Sequence, residues 1–203
     1  MQPDRRVPDS EWAAVSQLLG LLRTGEQSAE LAFRRITRRL KPAGAAYAQH
    51  ALAAIAEDEA RHDHWLVAAA DEVGIIATPT SESVRRFFVR LESRDFGAHL
   101  ARIATLDGCV CQILSCVLAG PSRSRIPPPL AAVLVRIRRD EAGHVRTTRS
   151  LAREFGADLT TARALELETR SAFSSVIAGY ESAFDALGVD TGALARRIRR
   201  DGA

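Results

Sequence analysis

The five residues Asp58-Glu59-Ala60-Arg61-His62 recur 82 positions later as Asp140-Glu141-Ala142-Gly143-His144. Each copy sets a Glu three residues before a His. On an α-helix that spacing puts both side chains on one side, where they can grip one cation. A single such pair is common by chance. Two copies agreeing in four of five residues, both within helix-forming sequence, constrain the fold: two helices must come together at these points.

The rest of the chain reads as helices able to do this. Ala, Leu, Arg and Glu dominate and the aromatic fraction is only 5%, a balance that favours helix. A cap at Asp9 or Ser10 opens a helix running to about residue 40, with a local irregularity expected near Thr24, where Thr24 and Gln27 match a capping box. Residues 41–44, with Pro42 and Gly44, break it. A second helix spans about 45–72, carrying Leu52, Ile55, Glu59, His62, Leu66 and Ala69 along one side, and Gly74 ends it. The stretch 75–94 holds a short amphipathic helix with Phe87 and Phe88 and is long enough to cross a bundle end to end. A third long helix covers about 95–118, a fourth 130–155 and a fifth 159–187, followed by a short basic helix. The expected fold is all-α: a four-helix bundle of two hairpins joined by a crossover, with an added long C-terminal helix. Residues 9–187 are expected to form one domain and 188–203 a basic tail.

Hairpin geometry then supplies two more acids. Residues equidistant from a turn lie at the same height, which sets Glu26 level with Glu59, with Glu30 one turn away as its competitor. In the second hairpin Asp107 is the acid nearest the level of Glu141. The separations agree, 33 residues in the first hairpin and 34 in the second. Asp107 sits within an apolar stripe of Leu100, Ile103, Val110 and Leu114, where an unpaired charge is very costly. Four clustered acids cannot all stay ionised without cations. Two divalent metals satisfy them, with Glu26, Glu59 and His62 assigned to one and Asp107, Glu141 and His144 to the other. Glu59 and Glu141 are central and suit bridging. Asp58 and Asp140 point a quarter-turn away, either as acceptors for the imidazole of the opposite motif or as solvated, Arg-paired acids.

This pattern resembles the ferritin-like di-iron carboxylate superfamily, in which two helices give a Glu each and two give E-x-x-H. The match runs over about residues 10–155 and departs at Asp107, where Glu is the common residue. The resemblance implies two Fe ions as cofactor, with Mn left open because the same O and N donors serve it. It also implies O2 chemistry: a non-haem di-iron oxidase or oxygenase acting on a small-molecule substrate. The other outcomes it allows are a rubrerythrin-like peroxidase and a tRNA hydroxylase. A non-catalytic metal-binding bundle is the reading outside enzymology. No paired C-x-x-C knuckles are present, so an external electron donor is implied.

Other features take plainer readings. Lys41 is the only lysine among 28 basic residues and the net charge is +3. The Arg clusters are interspersed with acids and few aromatics are available for stacking, which disfavours a nucleic-acid partner. Cys109, Cys111 and Cys116 read as small buried thiols. His50, His64 and His99 lie out of register with the ligand set, though His99 is placed to face a substrate channel. Tyr47 and Tyr180 read as packing residues. Gly143 leaves space beside Glu141 that Arg61 does not leave beside Glu59. The start of the chain is polar and charged and no run of about eighteen apolar residues occurs, so neither a leader nor a membrane span is expected and the expected compartment is the cytoplasm. A homodimer is compatible with the spare apolar face of the fifth helix.

Overall fold

A computed structural model describes residues 9–40 and 46–200. The expected polar tail, the turn at 41–44 and the helix start at residue 45 lie outside these described residues. The elements are α1 (Asp9–Arg39), α2 (Ala46–Val73), α3 (Glu82–Arg90), α4 (Phe96–Val117), a 3-10 turn (Gly120–Arg125), α5 (Pro128–Glu154), α6 (Leu159–Ala178), α7 (Glu181–Ala186) and α8 (Thr191–Arg200), with no strand among the described residues. α1 pairs with α2, and α4 with α5. The two hairpins meet where α2 packs on α5, while α6 covers α4.

The helix ends follow the residues that signalled them. Asp95 caps α4 by accepting from the Ala98 N–H at 2.7 Å, and Asp158 caps α6 by accepting from the Thr161 N–H at 2.8 Å, each satisfying an orphan donor of the first turn. Pro128 and Pro129 open α5, where a missing N–H costs nothing. Gly74 and Gly156 take positive φ of 73° and 89° after α2 and α5. α1 is continuous where an irregularity was expected: Thr24 donates to the Gly20 carbonyl at 2.9 Å instead of capping a new helix. Gly20 is there for closeness. A Cβ at this position would fall 1.8 Å from the Thr78 carbonyl oxygen, and the Thr78 N–H donates to Ser16 O, stitching the crossover onto α1.

Two apolar clusters sandwich a polar layer. One holds Leu18, Leu22, Leu66, Ile113, Ile137 and Phe173; the other holds Phe33, Ile36, Leu52, Ile55, Leu100 and Leu151. Fully burying each such side chain is worth about 1.5–3 kcal/mol. Glu26, Glu59, His62, Asp107, Glu141 and His144 lie between the clusters, all buried. The polar layer is held in place by the hydrophobic matter on both sides of it.

The long fifth helix is the main departure from expectation. It stops at Ala178, Gly179 and Tyr180 make a turn, and α7 begins at Glu181. The break lets α7 fold back against α1 and bury Phe184 and Leu187, which a straight helix lying on α4 could not do. The basic segment that follows carries α8, whose Leu194 and Ile198 are buried in the first apolar cluster. Arg170 on α6 ties it down, donating to Ile198 O at 2.9 Å and to Glu166 at 2.9 Å, a cation at a helix C-terminus. By length and composition α4 could cross a membrane, but 67% of its apolar window is buried inside the bundle, as in the core helix of a globular domain.

Candidate metal centre

The buried positions of α2 include Leu52, Ile55, Ala56, Glu59, His62, Leu66 and Ala69; those of α5 include Leu134, Ile137, Glu141, His144, Thr148 and Leu151. The Glu–His pairs therefore occupy seats that the helix period assigns to the core. Glu26 on α1 and Asp107 on α4 do the same, each 4% exposed. Glu30, the competitor of Glu26, points outward and accepts from Arg34 at 2.8 Å.

The donors of α1, α2 and α5 converge. The Nδ1 of His62 lies 3.0 Å from Glu26 Oε2, 3.8 Å from Glu59 Oε2 and 3.6 Å from Glu141 Oε1. The Nδ1 of His144 lies 3.1 Å from Glu59 Oε1 and 3.7 Å from Glu141 Oε1. Glu59 and Glu141 thus each face both imidazoles, whose ring centres are 5.8 Å apart. The outer nitrogens are crossed between motifs: His62 Nε2 is 3.4 Å from Asp140 Oδ2, and His144 Nε2 is 3.3 Å from Asp58 Oδ2. An aspartate that accepts from Nε2–H fixes the tautomer and leaves the Nδ1 lone pair facing inward. Asp58 also pairs with Arg61, so both of its sequence readings hold at once.

The electrostatics are those of acids packed too closely. Burial, then Glu59, raise the carboxyl of Glu26 well above its usual range; burial, then Glu141, do the same for Asp107. Burial works against ionisation of Glu59, yet the imidazoles of His144 and His62 outweigh it and hold this acid at about 2. Burial likewise opposes a charge on His62 and His144. The carboxylates beside them prevail, Glu141 first, and lift the imidazoles to about 12 and about 10. Without a metal, protons fill the place of cations.

The residues fit a metal on their own geometry. Donor atoms of Glu26, Glu59, His62 and Glu141 all lie within 4.8 Å of one another. Glu59 Oε1, Asp107 Oδ2 and His144 Nδ1 are fully buried with no hydrogen bond, although the first and last are only 3.1 Å apart. Buried N and O atoms that converge in this way suit a cation, for which the protons of the metal-free protein stand in, and leaving them unmet is costly. Asp107 stands outside the tight group of four but lines the same small cavity as Glu26, Glu59 and Glu141.

Several nearby residues carried no signal in the sequence. The Trp65 ring centre is 5.6 Å from that of His62, and the Arg136 guanidinium sits 3.9 Å over the indole. This cation–π stack caps the outside of the site. It joins two helices, so no local motif marks it. Gly25, Phe88 and Phe173 wall the small cavity against Glu26 and Asp107. His99 is buried, with Nδ1 3.0 Å from the Ser93 N–H, and burial pushes its imidazole down so that the ring accepts this bond as a neutral group. It ties α4 to the end of the crossover and also lines a cleft beside α3. Tyr47 is exposed and Tyr180 half-buried. A Cβ at Gly143 would meet only the tip of Arg146, so the space beside Glu141 is open.

No protein-family model matches this chain, and no curated protein sequence matches it. A solved structure does. A protein described as Protein 19 with aldehyde deformylating oxidase activity, from Synechococcus, superposes with a TM-score of 0.73, over 96% of this chain and 90% of that chain, at 18% identity. At this identity the likeness is one of fold, a ferritin-like helical bundle, and the buried Glu–His cluster of the present chain could hold a metal ion.

Proposed function

We propose that this chain is a non-haem di-iron oxidase or oxygenase that uses O2 to oxidise a small organic molecule. Glu26, Glu59 and His62 serve one ion, Asp107, Glu141 and His144 the other, and Glu59 and Glu141 are shared. The reading rests on the shared carboxylates: each faces both imidazoles, as a two-ion centre needs and a single-ion site does not. The aldehyde deformylating oxidase activity of the similar Synechococcus protein points the same way. An iron pair supplies two electrons to O2 at once and tolerates hard carboxylate ligands in its oxidised form.

The chain's own residues do the remaining work. Asp140 and Asp58 hold His62 and His144 with Nδ1 inward, so little ligand reorganisation is needed. The apolar clusters above and below exclude water, which strengthens every charge interaction in the layer. Phe88, Phe173 and Leu106 give the small cavity beside Glu26 and Asp107 an apolar wall, which keeps bulk water away from the carboxylates. Electrons come from an external donor.

Anaerobic loading with ferrous iron, exposure to O2 and Mössbauer spectroscopy of wild type and Glu141→Ala test the reading. The expected result is a coupled di-iron signal that the variant lacks. A wild-type protein that takes up one ion per chain, or whose iron ignores O2, refutes it. Peroxide consumption without an organic substrate would make the chain a peroxidase, and manganese retained from cells would change the metal.

A further inference from the structure

The small cavity at the candidate metal centre offers about 40 Å³, too little for an organic substrate. Beside it lies a second space of about 290 Å³, bounded by α1, α3 and α4. The two share Gly25, Ala29, Phe88, Leu106 and Asp107 along their walls. They are therefore neighbours separated by side chains, and the ring of Phe88 is the largest of these. A Cβ built on Gly25 would lie 3.7 Å from Phe88 Cζ. The missing methyl leaves the ring room to move on that side.

The outer space opens to solvent between Leu31 and Val89, which are 51% and 68% exposed. Few large apolar side chains of the described residues stand so far out, and these two flank one opening on different helices. The cations near this mouth are engaged: Arg35 pairs with Glu92, and Arg85 donates to Thr80 O at 2.7 Å. At the inner end stands the carboxyl of Asp107, with Glu26 in the small cavity beyond it, so no protein cation waits there for an anion. Phe88 is carried by a nine-residue helix that rests on α1 and α6. Its ring lies 5.3 Å edge-on from Phe87, which stacks at 5.6 Å on Phe173 of α6.

We infer that the cleft between α1, α3 and α4 is the substrate-binding site, that it takes an uncharged molecule with an apolar body, and that Phe88, hinged against Gly25, is the gate to the metal centre and determines how long a molecule fits. Calling the occupant a substrate rests on the oxidase reading. The cleft and its gate do not.

Zinc-loaded full-length protein, which turns nothing over, is titrated calorimetrically with 1-butanol to 1-decanol. Each buried methylene should tighten binding about fourfold until the cleft is full, after which affinity levels off. Phe88→Ala should move this limit to longer alcohols by joining the two spaces, and Phe88→Leu, which preserves more packing, should move it less. Gly25→Ala should melt no lower than wild type yet bind several-fold more slowly in stopped flow, since its methyl holds the ring. Arg86→Ala, outside the cleft, should bind as wild type does. The inference is overturned if both Phe88 variants and Gly25→Ala follow the parent series, or if Arg86→Ala shifts the length limit as they do. Iron-loaded protein that consumes no O2, alongside a Phe88-dependent length limit, would sink the oxidase reading and leave the gate standing. Oxygen consumption with a length limit blind to Phe88 would do the reverse.

Discussion

The two sides of the polar layer are built differently. On the α2–α5 side, the imidazoles, the crossed aspartates and the Trp65–Arg136 stack form a hydrogen-bonded and charged wall that reaches solvent through Asp140, 36% exposed, and Asp58, 28% exposed. On the α1–α4 side there are the two carboxyls of Glu26 and Asp107 and an apolar cavity walled by Phe88. On the proposed reading the first side positions ligands and exchanges protons, and the second leaves room. A site that must both hold ions and admit a reactant cannot pack equally tightly all round, and the proposal gives the two tasks to different hairpin partners.

Substitutions can break this division. The largest effect is expected at Glu59, which serves both imidazoles: Glu59→Ala should lose all coupled metal, read as less than one ion per chain by elemental analysis. Next come the aspartates. Asp140→Asn and Asp58→Asn should each weaken metal binding about 10–100-fold in a chelator competition, because the opposite imidazole loses its orienting acceptor. The comparison sharpens if Asp140→Asn perturbs the site of His62 and Asp58→Asn that of His144, and breaks if each affects the histidine of its own motif.

pH separates metal-free from loaded protein. The raised His62 and His144 stabilise the metal-free fold fully below the unfolded pKa of about 6.5. This contribution falls as pH rises and is gone past about 10 for His144 and about 12 for His62. Glu59, held at about 2, acts at the other end: its contribution is present above the ordinary carboxylate range and disappears as pH falls toward 2. Melting temperatures of metal-free protein should therefore drop on the alkaline side, whereas loaded protein, with its imidazoles already neutral, should not follow. Loading at neutral pH should release protons into weak buffer. The smallest effect is at Gly25, where replacement by Ala removes a helix-interior glycine and should add up to about 1 kcal/mol of stability, seen as a higher melting temperature.

The buried polar layer was legible in the sequence because it rests on short-range rules. The i,i+3 pairs follow from helix period, and Glu26 and Asp107 follow from counting outward from two turns. Glu26 and Glu30 differ by one helical turn of height, which counting alone leaves open; the structure buries Glu26 and pairs Glu30 with Arg34. The bundle itself followed from long apolar stripes and Gly–Pro breaks. What was not legible depends on contacts between distant segments. The Gly179–Tyr180 break is favoured by what α7 gains against α1. The Trp65–Arg136 stack and the Phe88–Gly25 contact each join helices whose relative rotation no local pattern specifies.

The exchanged aspartates have one more consequence. Asp58 serves the histidine of the second motif and Asp140 that of the first, which is the reciprocity a two-fold rotation axis produces between identical partners. This single polypeptide reproduces at its heart the bookkeeping of a dimer: what each half lends, it also borrows. Damage to one copy of the repeat is therefore felt in the other, and neither half on its own holds a finished site.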